Sequence, residues 1–411
     1  MRFHPNIGAQ LKNSLSMIGM SFCMFSGYCI YEGNEKFYYK ILLPTSHLIL
    51  SPEIAHKFAV FMGKHNLFPK FSNSSYPDLS VKLFGLQFSH PVGIAAGFDK
   101  QGEAILGLLN AGFSHVEVGS VTPEPQAGNI CPRVFRLVND EAVINRYGFN
   151  SDGHRVVRDR LSNIDWKGKG VVGVNLGINK HTNDPAGDYV TGVERFGEIC
   201  DYLVINVSSP NTEGLRLLQK ENQLRETLNR VRKSGGNYVY FIGNLQVMKA
   251  RDALPRKTPI LLKISPDETD EDVKNIVKVS LEQNIDGFIV CNTSNSRDGL
   301  LSSAELVAET GGLSGKPLRD KSTELISRIS TLTNGRVPII GVGGVSSGKD
   351  AWLKLMAGAS LIQLYTSMVF YGPPIVKKVT RELDEEMRNS EFSNLHEFLW
   401  KRNLEKQIVV Q

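Results

Sequence analysis

YLVINVSSPNT, residues 202–212, joins an apolar run to a turn with more hydrogen-bonding groups than a turn uses. Tyr202 to Ile205 read as a fully buried strand, and Asn206 to Thr212 close it with two adjacent serines, two asparagines, a threonine and a proline. A loop needs some polarity and one breaker. The surplus points to a ligand at this strand end.

The same arrangement recurs on both sides. Past Pro77 the apolar runs are Val92–Ala96, His115–Val118, Val171–Val174, Tyr202–Ile205, Pro259–Ile264, Gly287–Cys291, Pro338–Val342 and Leu361–Leu364. They exit through AAGFDK, GSVTP, NLGINK, NVSSPNT, KISPD, NTSN, GVGGVSSG and YTS, and helical sequence follows. Near-continuous apolar strands alternating with helices predict a parallel sheet. Eight such units within roughly 300 residues suit a closed (β/α)8 TIM barrel better than an open sheet, and a barrel gathers all eight polar exits on one face. Three connections are long. RVFRLVNDEAVINRYGF (133–149) alternates around Asn139-Asp140 and predicts an inserted β-hairpin. The connection between strands four and five reads as helical, and Thr293–Lys316 as a loop ending in GGLSGKPL, a mobile lid in expectation.

GVGGVSSGKDA (341–351) leaves strand seven and opens a helix. Glycines let backbone N–H groups approach an anion, a helix start adds its positive end, and barrels often bind phosphate after strands seven and eight. A Rossmann reading fails because Ser346 takes the third glycine position and no acid stands at the ribose distance. Alone the stretch is also compatible with a tight turn; Gly315 and Tyr365-Thr366 favour phosphate. Lys263 ends strand five, where it is either a salt-bridged barrel lysine or a cation aimed at a ligand.

Apolar residues make up 41% and charged residues 22% of the 411, as in a globular protein. The net charge of +5 comes from scattered Lys and Arg, which argues against nucleic acid as partner. Cys23, Cys29, Cys131, Cys200 and Cys291 show no metal-ligand spacing, so reduced thiols and no metal site are expected. The amino terminus differs in kind: basic Arg2, His4 and Lys12, no acid before Glu32, and an uncharged stretch Asn13–Tyr31. As a helix that stretch spans about 28 Å, close to a bilayer core. Residues 1–31 therefore read as a membrane anchor or a targeting peptide. Residues 32–76 follow with Pro44 and Pro52 at helix-start positions, predicting two short amphipathic helices that either cap the main domain or lie on a membrane surface. Residues 77–411 hold the barrel, ending in a charged helical tail.

AAGFDK (95–100), INRYGFN (144–150), NVSSPNT (206–212), KISPD (263–267), GGLSGKPL (311–318), GVGGVSSG (341–348) and LYTS (364–367) together resemble the dihydroorotate dehydrogenases, in order from about Glu35 to Tyr371. Serine at 209 and the helical extension resemble the membrane-associated, quinone-reducing class. The resemblance implies FMN, held by Ala96, Gly97, Phe98, Asp99, Lys100, Ser120, Asn175, Asn206, Lys263, Cys291, Gly315, Gly344, Tyr365 and Thr366. Cys291 departs from the threonine expected there. It implies dihydroorotate or orotate among Lys100, Asn145, Arg146, Tyr147, Gly148, Phe149, Asn206, Asn211, Asn292 and Thr293. Ser209 is implied as catalytic base, with Lys100 and Lys263 as the other catalytic residues; because a hydroxyl is a poor base and NVSSPNT holds no His or Asp, a hydroxyl or water relay through Thr212 or Thr293 is expected. Ubiquinone is implied along Leu43, His56, Phe58, Ala59, Met62, Arg136 and Tyr365, with the chain anchored by a single pass in the lipid bilayer of the mitochondrial inner membrane. Amides suit a pyrimidine edge because they donate and accept, and Lys100 suits a carboxylate. Two other readings remain: a soluble flavin barrel using fumarate or reducing dihydropyrimidines, and a membrane-tethered binding module without turnover.

Overall fold

Eight parallel strands close on themselves in chain order: Val92–Ile94, His115–Val121, Val171–Leu176, Tyr202–Asn206, Ile260–Ile264, Gly287–Val290, Ile339–Val342 and Leu361–Leu364, the fifth bonding the sixth and the eighth the first. The computed structural model describes residues 6–71, 76–212, 215–220, 223–225 and 246–408. Every residue of these strands is buried. This explains why they read as continuous apolar runs and not as alternating ones. Helices between them, such as Ile105–Asn110, Pro185–Phe196, Asp270–Glu282 and Arg319–Leu332, present buried Val, Ile and Leu to the strands. The helical sequence expected between strands four and five lies, for 226–245, outside the described residues.

A short hairpin, Val81–Leu83 with Leu86–Phe88, precedes the barrel and went unread in the sequence. Phe88 packs edge-on against His115, the first residue of strand two, and the Phe84 ring abuts Gly287, the first of strand six. The hairpin therefore covers the amino-terminal mouth and leaves the other mouth for chemistry. The expected insertion is a hairpin, Val134–Leu137 with Ala142–Asn145. Gly312–Gly315 adds a third antiparallel strand to it, so the end of the expected lid is a buried strand. The lid's start is held as well, since Ser294 and Leu313 exchange both backbone hydrogen bonds.

The extension is helical from Glu35 to Ile49 and again from Pro52 to Lys64. Pro52 opens its helix as expected, and Pro44 stands in the first turn of Leu43–Ile49, which continues without a break from the helical turns that begin at Glu35. Asn34 caps the start at Glu35 by accepting the Phe37 N–H, and a π-turn over Tyr38–Leu42 widens the backbone just before the proline. The second helix sits tightly on the barrel: a Cβ on Gly107 would fall 2.0 Å from the Gly63 carbonyl oxygen. Outward, Leu48, Ile49, Ile54, Phe58 and Phe61 are all more than half exposed. The extension is thus a cap on one side and an unpartnered apolar face on the other. In helix Asn6–Tyr31 the stretch Gln10–Tyr31 is mostly exposed and is long and apolar enough to cross a membrane. The carboxyl-terminal tail is a helix, Leu395–Ile408, whose Phe398 is buried against Trp352. Arg402 donates to the Leu355 and Ala359 carbonyls on either side of the end of helix Gly348–Ala357, which ties the tail to the barrel.

Candidate active site

The polar exits converge. A pocket of about 1110 Å³, its open mouth included, lies at the carboxyl face. Strand one delivers Ala96, Gly97 and Lys100; strand two, Ser120; strand four, Asn206, Ser209 and Asn211; strand five, Lys263; strand six, Cys291, Asn292 and Thr293. The hairpin adds Asn145, Tyr147, Gly148 and Phe149, its third strand Gly315, strand seven Gly344, and strand eight Tyr365 and Thr366.

Lys263 answers both readings offered for it. It lines the pocket, and its ammonium lies 3.6 Å from the fully buried Glu117. Glu117, on the barrel axis, also accepts from Asn175 at 2.8 Å and from Gln363 at 2.7 Å. Asn175 in turn accepts from Ser120 (2.5 Å) and Asn206 (3.1 Å), so one carboxylate orients the polar groups at the pocket floor. Sequence reasoning missed Glu117 and Gln363. The available signal was a lone acid inside the apolar strand HVEVGSV, since a buried acid requires partners.

Ser209 is buried, and its Oγ accepts the Asn211 N–H at 3.3 Å. Among the described residues no hydrogen bond joins it to Thr212 or Thr293. Ser208 lies outside the pocket, donating to Asn206 and accepting from Asn292. The amide of Asn211 reaches Asn145 at 3.4 Å and that of Asn145 reaches Gly312 at 3.5 Å; bonds this long leave both groups free to turn to a ligand. Burial and then Arg133 push the Lys100 ammonium down to about 8, and the group sits 4.2 Å from the Tyr147 ring centre. Burial raises the Tyr147 phenol and, with Lys100, pushes His56 down to about 4. His56 Nε2 faces the Phe98 carbonyl, an acceptor only, at 2.8 Å, so its Nδ1 accepts from the Tyr147 hydroxyl at 2.9 Å.

Several expected residues stand elsewhere. Arg146 points away from the pocket, bonding Pro132 O, Glu309 and Thr310. Asp99 spends its carboxylate on the Glu103 and Ala104 N–H groups, and Phe98 lines a second cavity beneath helix Pro52–Lys64. Asn175 is one layer below the pocket. His56 lines the second cavity and Tyr365 the main one, whereas Leu43, Phe58, Ala59, Met62 and Arg136 lie outside both. Ala59 and Met62 pack on the core, Phe58 faces outward, and Arg136 donates to the His47 carbonyl. The helix after strand seven is not the pocket's anion donor, because its start is taken: Gly348 N donates to Glu382, and Ser346 N to Asp350. The pocket is lined instead by Gly343 to Ser346 and by the start of helix Thr366–Tyr371.

The pocket suits a planar phosphorylated cofactor. Gly343 and Gly344 have φ of 120° and 69°, and a Cβ on Gly344 would lie 2.6 Å from Arg319 Cα, so only glycine leaves this cradle open. At the floor the buried Gln363 Oε1 has no hydrogen-bond partner among the described residues.

A closed parallel barrel with a ligand pocket at the carboxyl ends of its strands defines a (β/α)8-barrel enzyme. A family model described as dihydroorotate dehydrogenase matches residues 78–387. The mitochondrial dihydroorotate dehydrogenase (quinone) of Mus musculus is 48% identical over 387 residues, covering 92% of this chain and 94% of the relative. That of Rhodospirillum rubrum is 43% identical, covering 85% and 90%. The ligand-free DHODH structure from Eimeria tenella aligns with a TM-score of 0.77 at 40% identity, over 84% of this chain and 97% of that one. The chain belongs to the dihydroorotate dehydrogenase family, which comprises flavin-dependent oxidoreductases.

Proposed function

We propose that the chain oxidises dihydroorotate to orotate, with FMN as hydride acceptor and ubiquinone as final electron acceptor, in pyrimidine biosynthesis. The observation that carries this reading is the facing of Lys100, the Asn145, Asn211 and Asn292 amides, Ser209 and Lys263 across one pocket from a glycine cradle. Bound FMN supplies the acceptor for the C6 hydride and relays electrons to the quinone. Gly343, Gly344, Gly315 and Thr366 hold the phosphate, and Ser120, Asn206, Lys263 and Cys291 the ring. Lys263 would place a cation beside the flavin ring, where it would stabilise negative charge gained there. Lys100 pairs with the substrate carboxylate, the three amides read the pyrimidine edge, and Ser209 removes the C5 proton. Serine at 209 and the exposed apolar face of the extension support the quinone-reducing class over a soluble fumarate-using one.

On this reading residues 1–31 form a single-pass anchor in the mitochondrial inner membrane, 32–76 the quinone-access helices and 77–411 the catalytic barrel. The purified protein is then yellow, denaturation releases FMN and not FAD, and anaerobic dihydroorotate bleaches it. A folded, colourless preparation that takes up no flavin would overturn the assignment.

A further inference from the structure

Lys354, on the helix that follows strand seven, is fully buried. Its ammonium donates to Arg319 O at 3.1 Å, Ser322 Oγ at 2.5 Å and Thr323 Oγ1 at 2.9 Å, all neutral oxygens. No carboxylate among the described residues forms an ion pair with it. A buried cation bonded only to neutral oxygens, with no carboxylate in direct contact, is costly, and this one lies under the glycine cradle. The one proton of Ser322 Oγ is shared between Arg319 O at 2.9 Å and Gly343 O at 3.2 Å, and a Cβ on Gly341 would touch the Lys354 Cδ at 3.4 Å. Two hydrogen bonds thus separate the ammonium from the turn that lines the pocket.

We propose that Lys354 is the fixed counter-charge of the cofactor phosphate, acting through Ser322 and the Gly343–Gly344 turn from beneath the site. The inference rests on the FMN reading and adds a residue that does not touch the ligand. The charge partly neutralises the phosphate and holds helix Arg319–Leu332 against the cradle. Burial pushes the ammonium down to about 8. The ionisable groups around it are Asp350 on its own helix, Arg319 and Asp320 on the facing helix, and Cys291 at the end of strand six, whose thiol burial pushes up to about 12. Lys354 therefore loses its charge as pH rises through about 8, and the phosphate's hold weakens over that range.

Displacement of FMN by riboflavin from the full-length, detergent-solubilised holoprotein reads the ratio of the two affinities. In the wild type FMN is strongly preferred. Lys354→Met shifts the ratio toward riboflavin by about tenfold or more, the scale of one nearby charge in a partly screened site. A purely structural lysine would weaken both ligands alike and leave the ratio unchanged, which would overturn the proposal. Should Lys354→Met fail to fold, the wild-type ratio measured from pH 7 to 10 decides: a fall in FMN preference above about 8 is expected, and a flat profile overturns it. A wild type that binds riboflavin as well as FMN would instead overturn the FMN reading itself.

Discussion

Ser209 lines the pocket while its neighbour Ser208 is turned to Asn206 and Asn292, although both are serines in the same turn. Ser209→Ala should keep the flavin and slow its bleaching by dihydroorotate by about 10²-fold or more, the scale of losing a positioned base. Ser208→Ala loses a bond to Asn292, so it should weaken substrate binding while leaving the limiting bleaching rate within a few-fold of wild type. Stopped-flow on both variants separates the two, and equal limiting rates would place the base elsewhere. Lys100 brings a pH dependence. Its ammonium, lowered to about 8 by burial, is the form that pairs with the substrate carboxylate, so apparent affinity for dihydroorotate falls as pH rises through about 8. Titrating the bleaching amplitude from pH 6.5 to 9.5 checks this, and Lys100→Met should flatten the profile along with its affinity.

At the level of elements, helix Pro52–Lys64 has two unlike faces. It holds the barrel through the Glu53–Arg133 pair at 2.5 Å, the His56–Tyr147 bond and the Gly63–Gly107 contact, while its other face is bare. Removing residues 1–31 should leave reoxidation by short-tailed quinones intact. Removing 1–71 should abolish quinone reduction and lower thermal stability, yet preserve bleaching by dihydroorotate, because that half-reaction uses barrel residues. Unimpaired reoxidation in the longer truncation would reduce the helices to a structural cap. The tail helix has a different role. Phe398→Ala empties a buried site against Trp352 and should cost about 3–4 kcal/mol in denaturant unfolding, with the flavin still bound before the transition.

For the whole molecule, charge and apolarity are distributed by region. The exposed helix Gln10–Tyr31 and the bare face of the extension lie in one stretch of chain, and the carboxyl mouth of the barrel carries the pocket. Full-length protein should co-sediment with vesicles of neutral phospholipid at high salt, and protein lacking 1–31 should remain mostly in the supernatant, since transfer of an uncharged helix into the bilayer does not depend on screening. Equal sedimentation of the two would move the anchor to the extension helices.

By itself the sequence determined the barrel, its order and most of the pocket. Period and composition are local properties, and eight buried strands with over-polar exits have few other solutions. The cradle glycines, Lys100, Ser209, Lys263 and the three asparagines were legible because each sits in a turn richer than a turn requires. Only the tertiary structure decided what depends on residues remote in the chain. Glu117 meets Lys263 and Gln363 across the barrel axis, Gly312–Gly315 pairs with a hairpin more than 160 residues earlier, and Arg146 is drawn off by Glu309. The start of helix Gly348–Ala357 is claimed by Glu382, and Lys354 is buried under the cradle by packing that no local pattern announces. A side chain's direction is set by which partner satisfies it, and that partner is chosen by topology.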